Sequence, residues 1–166
     1  MNGAGDGIGS LGADDARRIE QLLQRLVTET QTRCAFLIDR AGRLLTRVGH
    51  VQDLDETAFA SLASADFAAS DQLAVLLGEK EFSSLYHHGA QRSMFLADIA
   101  GAAILAVLFD TRTTLGMVRI RTKSLIPQLA ESLRHAARRG STGSEIPVDS
   151  AWAAEAEAEI DRLFRE

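Results

Sequence analysis

Apolar residues recur at helical spacing early in the chain: Ile19, Leu22, Leu23, Leu26 and Val27 fall on one face when placed at about 100° per residue. Asp14 or Asp15 is positioned to cap that helix, which is expected to end near Gln31. Two short β-rich runs follow in CAFLIDRAGRLLTRV, residues 34–48, joined around Arg40, Ala41 and Gly42. Glycine there supplies the positive φ that a hairpin turn requires. A second helix, opened by Asp55 or a near neighbour and closed by Gly78, contains LASADFAASDQLAVLL at 62–77. Three strand candidates come next, FSSLYHH, SMFLADI and AAILAVLF, with turns at Gly89 and Gly101. The last is apolar on both faces, which suits a central strand.

Downstream, Leu115, Val118, Thr122, Ile126, Leu129 and Leu133 keep one helical stripe without a break. The stripe predicts a single long helix over about 114–138, capped by Thr113 and kinked near Lys123 because Pro127 removes a backbone hydrogen bond. GSTGSEIPVD then interrupts the pattern as a linker. Beyond it, Trp152, Ala156, Ile160 and Leu163 align on one stripe with Phe164 beside it. The expected organisation is a glycine-rich disordered leader at 1–13, one domain at 14–139, a linker at 140–149 and an amphipathic C-terminal helix at 150–166.

The second helix is unusual in having two faces that avoid charge. Phe59, Leu62, Ala69, Leu73, Leu76 and Leu77 gather on one stripe, read as the core face. The other arc holds Ser61, Ser64, Ala68, Asp71 and Val75, with Phe67 at its edge. Between Arg47 and Lys80 there is no Lys or Arg, so neither face carries the long cations that keep an exposed helix in water. A second buried surface on the small-residue arc is expected.

Composition narrows the function. A chain of 166 residues makes one domain with tails, and 46% apolar content with one Trp and one Tyr implies an aliphatic core. The net charge of −5, with RHAARR at 134–139 as the longest basic grouping, excludes the basic face that nucleic-acid binding needs. A lone cysteine, Cys34 in the apolar run CAFLI, fits a buried thiol in a reducing compartment. No apolar run is long enough to span a bilayer, and the first 16 residues carry no signal-peptide pattern. The expected location is the cytoplasm, away from membranes.

Catalytic constellations are missing. There is no GxxxxGK[ST], so the chain is not itself a P-loop hydrolase, and GAGDGIG has no strand before it to make a phosphate loop. His87 and His88 are adjacent, so on a strand they point to opposite faces and do not share a metal. Asp39 and Asp110 each close an apolar strand without a nucleophile in partnership, which reads as turn chemistry. Neither a metal site nor a cofactor site is expected.

The order helix, hairpin, helix, three-stranded meander, helix resembles the Roadblock family, the dynein light chain type of small α/β domain. FLIDRAGRLL in the hairpin, LLGEKEF at the end of the second helix, LFDTRTTLGMVRIRTK from the last strand into the third helix, and EIDRLFRE in the tail resemble the bacterial MglB branch of that family. The resemblance covers roughly 15–138 and resumes in the tail. It implies an α/β fold, an antiparallel five-stranded sheet with flanking helices plus the C-terminal tail helix. It also implies a homodimer that binds a Ras-like GTPase of the MglA type and stimulates GTP hydrolysis in bacterial cell polarity and gliding motility. Such a protein is an enzyme regulator with no catalytic residues of its own and no cofactor; Arg112 in the DTRTT loop is accordingly read as a solvated turn residue, not an arginine finger.

In dimers of this family the second helices of two subunits lie side by side over a sheet made continuous by strand pairing, and the two-helix layer meets the GTPase. The resemblance thus implies a GTPase contact at or beside Ser61, Ser64, Phe67, Ala68, Asp71, Gln72 and Val75, and a pairing strand carrying Phe82, Leu85 and His87. Family members tend to run a small residue, Gly, Asn and small residues through this helix, whereas this chain has Ser64, Ala65, Asp66 and the bulky Gln72. That departure keeps a second reading open, a scaffold dimer that binds a GTPase or polarity protein without accelerating anything. The tail, marginal as an isolated helix of about 15 residues, is expected to be mobile when free and to dock Trp152, Ala156, Ile160, Leu163 and Phe164 on the GTPase.

Overall fold

The computed structural model describes residues 11–142; the expected tail helix and most of the expected leader and linker lie outside the described residues. The element order is α1 (Ala13–Thr30), β1 (Cys34–Asp39), β2 (Leu44–Gly49), α2 (Glu56–Leu76), β3 (Ser84–His88), β4 (Ser93–Ile99), β5 (Ala103–Phe109) and α3 (Leu115–Thr142). The strands form one antiparallel sheet in the order β2-β1-β5-β4-β3. The doubly apolar β5 takes the centre, where both of its faces are covered, and β3 is left as a free edge.

Helices cover both faces of the sheet, and strand alternation divides the core between them. On one side, Ala35, Leu37, Ala97, Ile99, Leu105 and Val107 pack with Ile19, Leu22, Leu23 and Leu26 of α1 and with Val118, Leu125, Leu129 and Leu133 of α3. On the other, Cys34, Phe36, Ile38, Leu96, Ile104 and Ala106 meet Ala60, Ala63 and Phe67 of α2. Burial pushes the Cys34 thiol up to about 12, with Glu56 adding to the effect, so the thiolate needed for nucleophilic chemistry is suppressed.

Helix boundaries correct the expectations in small ways. Gly12, not an aspartate, is the N-cap of α1, and Asp14 and Asp15 occupy its first turn, where carboxylates favour the positive end of the helix dipole. Gln31 ends that helix at φ 54°. The Oγ1 of Thr114, not Thr113, accepts the Met117 N–H at 3.3 Å. α3 then runs to Thr142 with Pro127 inside it, past the expected boundary at 139.

The main correction concerns α2, whose faces are reversed. Ala60, Ala63, Ser64, Phe67, Ser70 and Ala74 are its buried positions, while Leu62, Leu73, Leu76 and Leu77 of the expected core stripe are exposed. Ala69 is exposed as well, and Phe59 is half-buried against Phe36, with ring centroids 4.9 Å apart. The reason is volume. Phe36, Ile38, Leu96 and Ile104 already fill the sheet face, so the helix sits down on its small residues and inserts the single ring of Phe67. Gly42 records how close the approach is: its φ is +83°, and a Cβ there would stand 3.0 Å from the Cα of Ser61. A side chain at this turn would have to push α2 off the hairpin.

Candidate functional site

With Phe67 pointing into the sheet, the opposite side of α2 presents Leu62, Ala65, Ala69, Leu73 and Leu76 to solvent. Leu62 is 69% exposed and Leu76 81%. Five such positions, three and four residues apart, make a continuous apolar strip of the kind that packs against another helix. Its chemistry is unusually uniform, because the three charged residues of α2 are all turned aside into bonds with the rest of the domain. The carboxylate of Glu56 lies 2.7 Å from Arg47 Nε on β2. Asp66 Oδ2 lies 2.7 Å from His87 Nε2 on β3. Asp71 Oδ2 accepts from Arg40 Nη1 at 3.3 Å.

Arg40 is the residue that sequence reasoning missed. From the β1–β2 turn its guanidinium reaches Asp71 on α2 and Asp98 at the end of β4, and it sits 5.1 Å from the ring centroid of Phe67. Its carbonyl accepts from Ser64 Oγ at 2.8 Å. One side chain thus ties the hairpin, α2 and the sheet end together, partly sheltered from water and stacked on an aromatic face, a geometry that suits the planar guanidinium. No local pattern announces it, since its partners lie 31 and 58 residues away.

Of the residues expected at a GTPase contact, Ser61, Ala68, Gln72 and Val75 are exposed. Asp71 is half-buried and engaged by Arg40. Ser64 and Phe67 are placed differently from the expectation: they are buried beneath α2, one bonded to the turn carbonyl and the other filling the core. Of the residues expected on a pairing strand, Leu85 and His87 lie on the free edge β3, and Phe82 precedes it. Trp152, Ala156, Ile160, Leu163 and Phe164 lie outside the described residues.

The acids that close strands are consumed structurally. Asp39 accepts from the N–H groups of Ala41 and Arg43 at 3.0 and 2.8 Å and from Arg43 Nε at 2.6 Å. Asp110 accepts from the Arg112 N–H at 3.0 Å and from Arg33 Nε at 2.6 Å, which holds its carboxyl down at about 2. Arg112 itself folds back onto Asp110, Nε to Oδ1 at 3.0 Å. Among the described residues no cluster of metal-ligating side chains occurs, and no helix is long and apolar enough to cross a membrane.

Comparison with known proteins agrees with this fold. The Roadblock/LC7 domain model matches residues 18–109. Among solved structures, MglB of Myxococcus xanthus is 35% identical at a TM-score of 0.67, over 70% of this chain and 95% of that one. The gliding protein MglB of Thermus thermophilus is 30% identical at a TM-score of 0.70, over 76% of this chain and 97% of that one. A further structure, described as MglB with a tetrameric arrangement, is similar to the same degree, with 30% identity, a TM-score of 0.70 and the same coverage.

Proposed function

This chain belongs to the Roadblock/LC7 domain family, and from that premise we propose that it is a homodimeric regulator of a Ras-like GTPase of the MglA type, acting in bacterial cell polarity or motility. The observation that carries the reading is the outward strip of α2. An apolar helix face cleared of charge, beside a free strand edge, is a surface that a monomer in water does not keep without a use. In the proposed dimer, Leu62, Ala65, Ala69, Leu73 and Leu76 pack against their counterparts, and the small residues let the two helix backbones come close. The flanking Ser61, Ala68, Gln72 and Val75 are left at the top of the two-helix layer for the GTPase.

The mode of action we propose is activation without a donated catalytic group: the rigid layer holds the GTPase's own catalytic residues in place. Arg112 is the residue most easily mistaken for an arginine finger, and its guanidinium is already engaged by Asp110. An inserted finger is worth a factor of about 10³ to 10⁵ in hydrolysis. Arg112→Ala is therefore expected to change stimulated hydrolysis by far less than about 10³; a loss of that size with unchanged binding would make Arg112 catalytic.

The proposal is tested by mixing the purified protein with a GTP-loaded MglA-type GTPase and timing phosphate release. Acceleration supports activation, binding without acceleration makes the protein a scaffold, and absence of binding overturns the assignment. The scaffold reading draws on one specific feature, Asp66, which pairs with His87 at 2.7 Å at a position where the family tends to carry a small or amide residue.

A further inference from the structure

A second concave surface lies on the far side of the sheet. Between α3 and the β3–β4 end of the sheet runs a trough of about 680 Å³, floored by Phe95 and Ala97 and walled by Ile120 of α3. Ile120 is 68% exposed. Gly116 lines one end of the trough, and the hydroxyl of Thr122, which also lines it, is buried without a hydrogen-bond partner among the described residues. Arg119 and Lys123 stand on its α3 rim, and neither makes an ion pair among the described residues. Glu81 lies on the opposite rim, and Asp98 is already bound by Arg40.

We infer that this trough holds the chain's own C-terminal segment, 150–166. Reach, shape and charge each favour this occupant. From Thr142, where α3 ends, back to Ile126 at the edge of the trough is about 24 Å along the helix. The eight steps from 142 to 150 span up to about 28 Å when extended, so the segment enters the trough from the Ile126 end. At helical rise its 17 residues cover about 25 Å, enough to run antiparallel to α3 past Ile120 to Gly116. Its stripe of Trp152, Ala156, Ile160 and Leu163 supplies the apolar face. Glu155, Glu157, Glu159, Asp161 and Glu166 against Arg162 and Arg165 leave it net negative toward the Arg119 and Lys123 rim.

The family resemblance assigns this stripe to a GTPase. Docked in the trough, it is already engaged in the free protein, on the face opposite α2, and must leave before it can touch anything else. The inference does not depend on the proposed function, and no GTPase is needed to test it.

Trp152 is the only tryptophan of the chain, so its fluorescence in the full-length protein reports the segment directly. The expected result is a blue-shifted emission shielded from acrylamide, unchanged on dilution. Ile120→Glu, at an exposed position that the fold tolerates, is expected to shift the emission to that of solvated indole and raise the quenching constant severalfold. Lys123→Glu should act in the same direction, and Leu76→Glu on α2 should leave Trp152 unchanged, with circular dichroism confirming the fold in each case. Solvated emission in the unaltered protein, shielding that survives Ile120→Glu, or shielding lost with Leu76→Glu would each overturn the assignment. Shielding lost on dilution would place the segment on a second copy and overturn docking within one chain.

Discussion

Phe67→Ala is expected to cost the fold about 3 to 5 kcal/mol, the range for deleting a fully enclosed aromatic ring. Phe67 is 0% exposed and is the one large side chain of α2 that is fully enclosed among Phe36, Ile38, Leu96 and Ile104. Its neighbours on the helix are Ala60, Ala63, Ser64, Ser70 and Ala74, too short to close over the void. Removing the ring also strips the guanidinium of Arg40 of the face it lies on. Urea denaturation gives the measurement, and Leu62→Ala gives the contrast. Leu62 faces water, so in the monomer its truncation should stay within about 0.5 kcal/mol. Measured toward low protein concentration, equal losses at the two positions would show that α2 packs by its leucine face after all.

Leu76→Glu should leave the domain folded and remove its ability to associate. The side chain is 81% exposed, so a carboxylate there is well solvated in an isolated domain. In a two-helix interface the same carboxylate loses its water without gaining a partner, since the charged residues of α2 are Glu56, Asp66 and Asp71, all acidic and already engaged. A two-fold dimer carries the change twice. The expected weakening is at least about 2 kcal/mol, or roughly thirtyfold in the dimer dissociation constant. Sedimentation equilibrium measures it, and GTPase binding should fall with it. A variant that dimerises and binds as before would move the contact away from the α2 strip.

Most of the fold was legible because the responsible patterns are local. The stripe of Ile19, Leu22, Leu23 and Leu26 and that of Val118, Thr122, Leu129 and Leu133 have one apolar side each, so periodicity names both the helix and the face it buries. The doubly apolar AILAVLF became the central strand, and glycines 42, 78 and 101 stand in turns with positive φ, where side chains are disfavoured. The resemblance carried by the FDTRTTLG stretch and its companions belongs to the same local information, and the family comparisons agree with it.

Which side of α2 faces inward was decided only by tertiary structure. Both sides of that helix avoid Lys and Arg, so charge does not discriminate between them, and hydrophobicity favours the leucines, the wrong side. The choice depends on the room that Phe36, Ile38, Leu96 and Ile104 leave above the sheet, which is a property of β1 meeting the β4–β5 hairpin, distant from it in sequence. Small residues and one phenylalanine fit that space, and the leucines do not. The same holds for Arg40, whose partners Asp71 and Asp98 are brought within reach only when the hairpin, the helix and the end of β4 have already met. The sequence by itself therefore determined the elements, their order and the existence of a second apolar face on α2. Packing volume and long-range pairing determined that the leucine strip is the face turned to solvent.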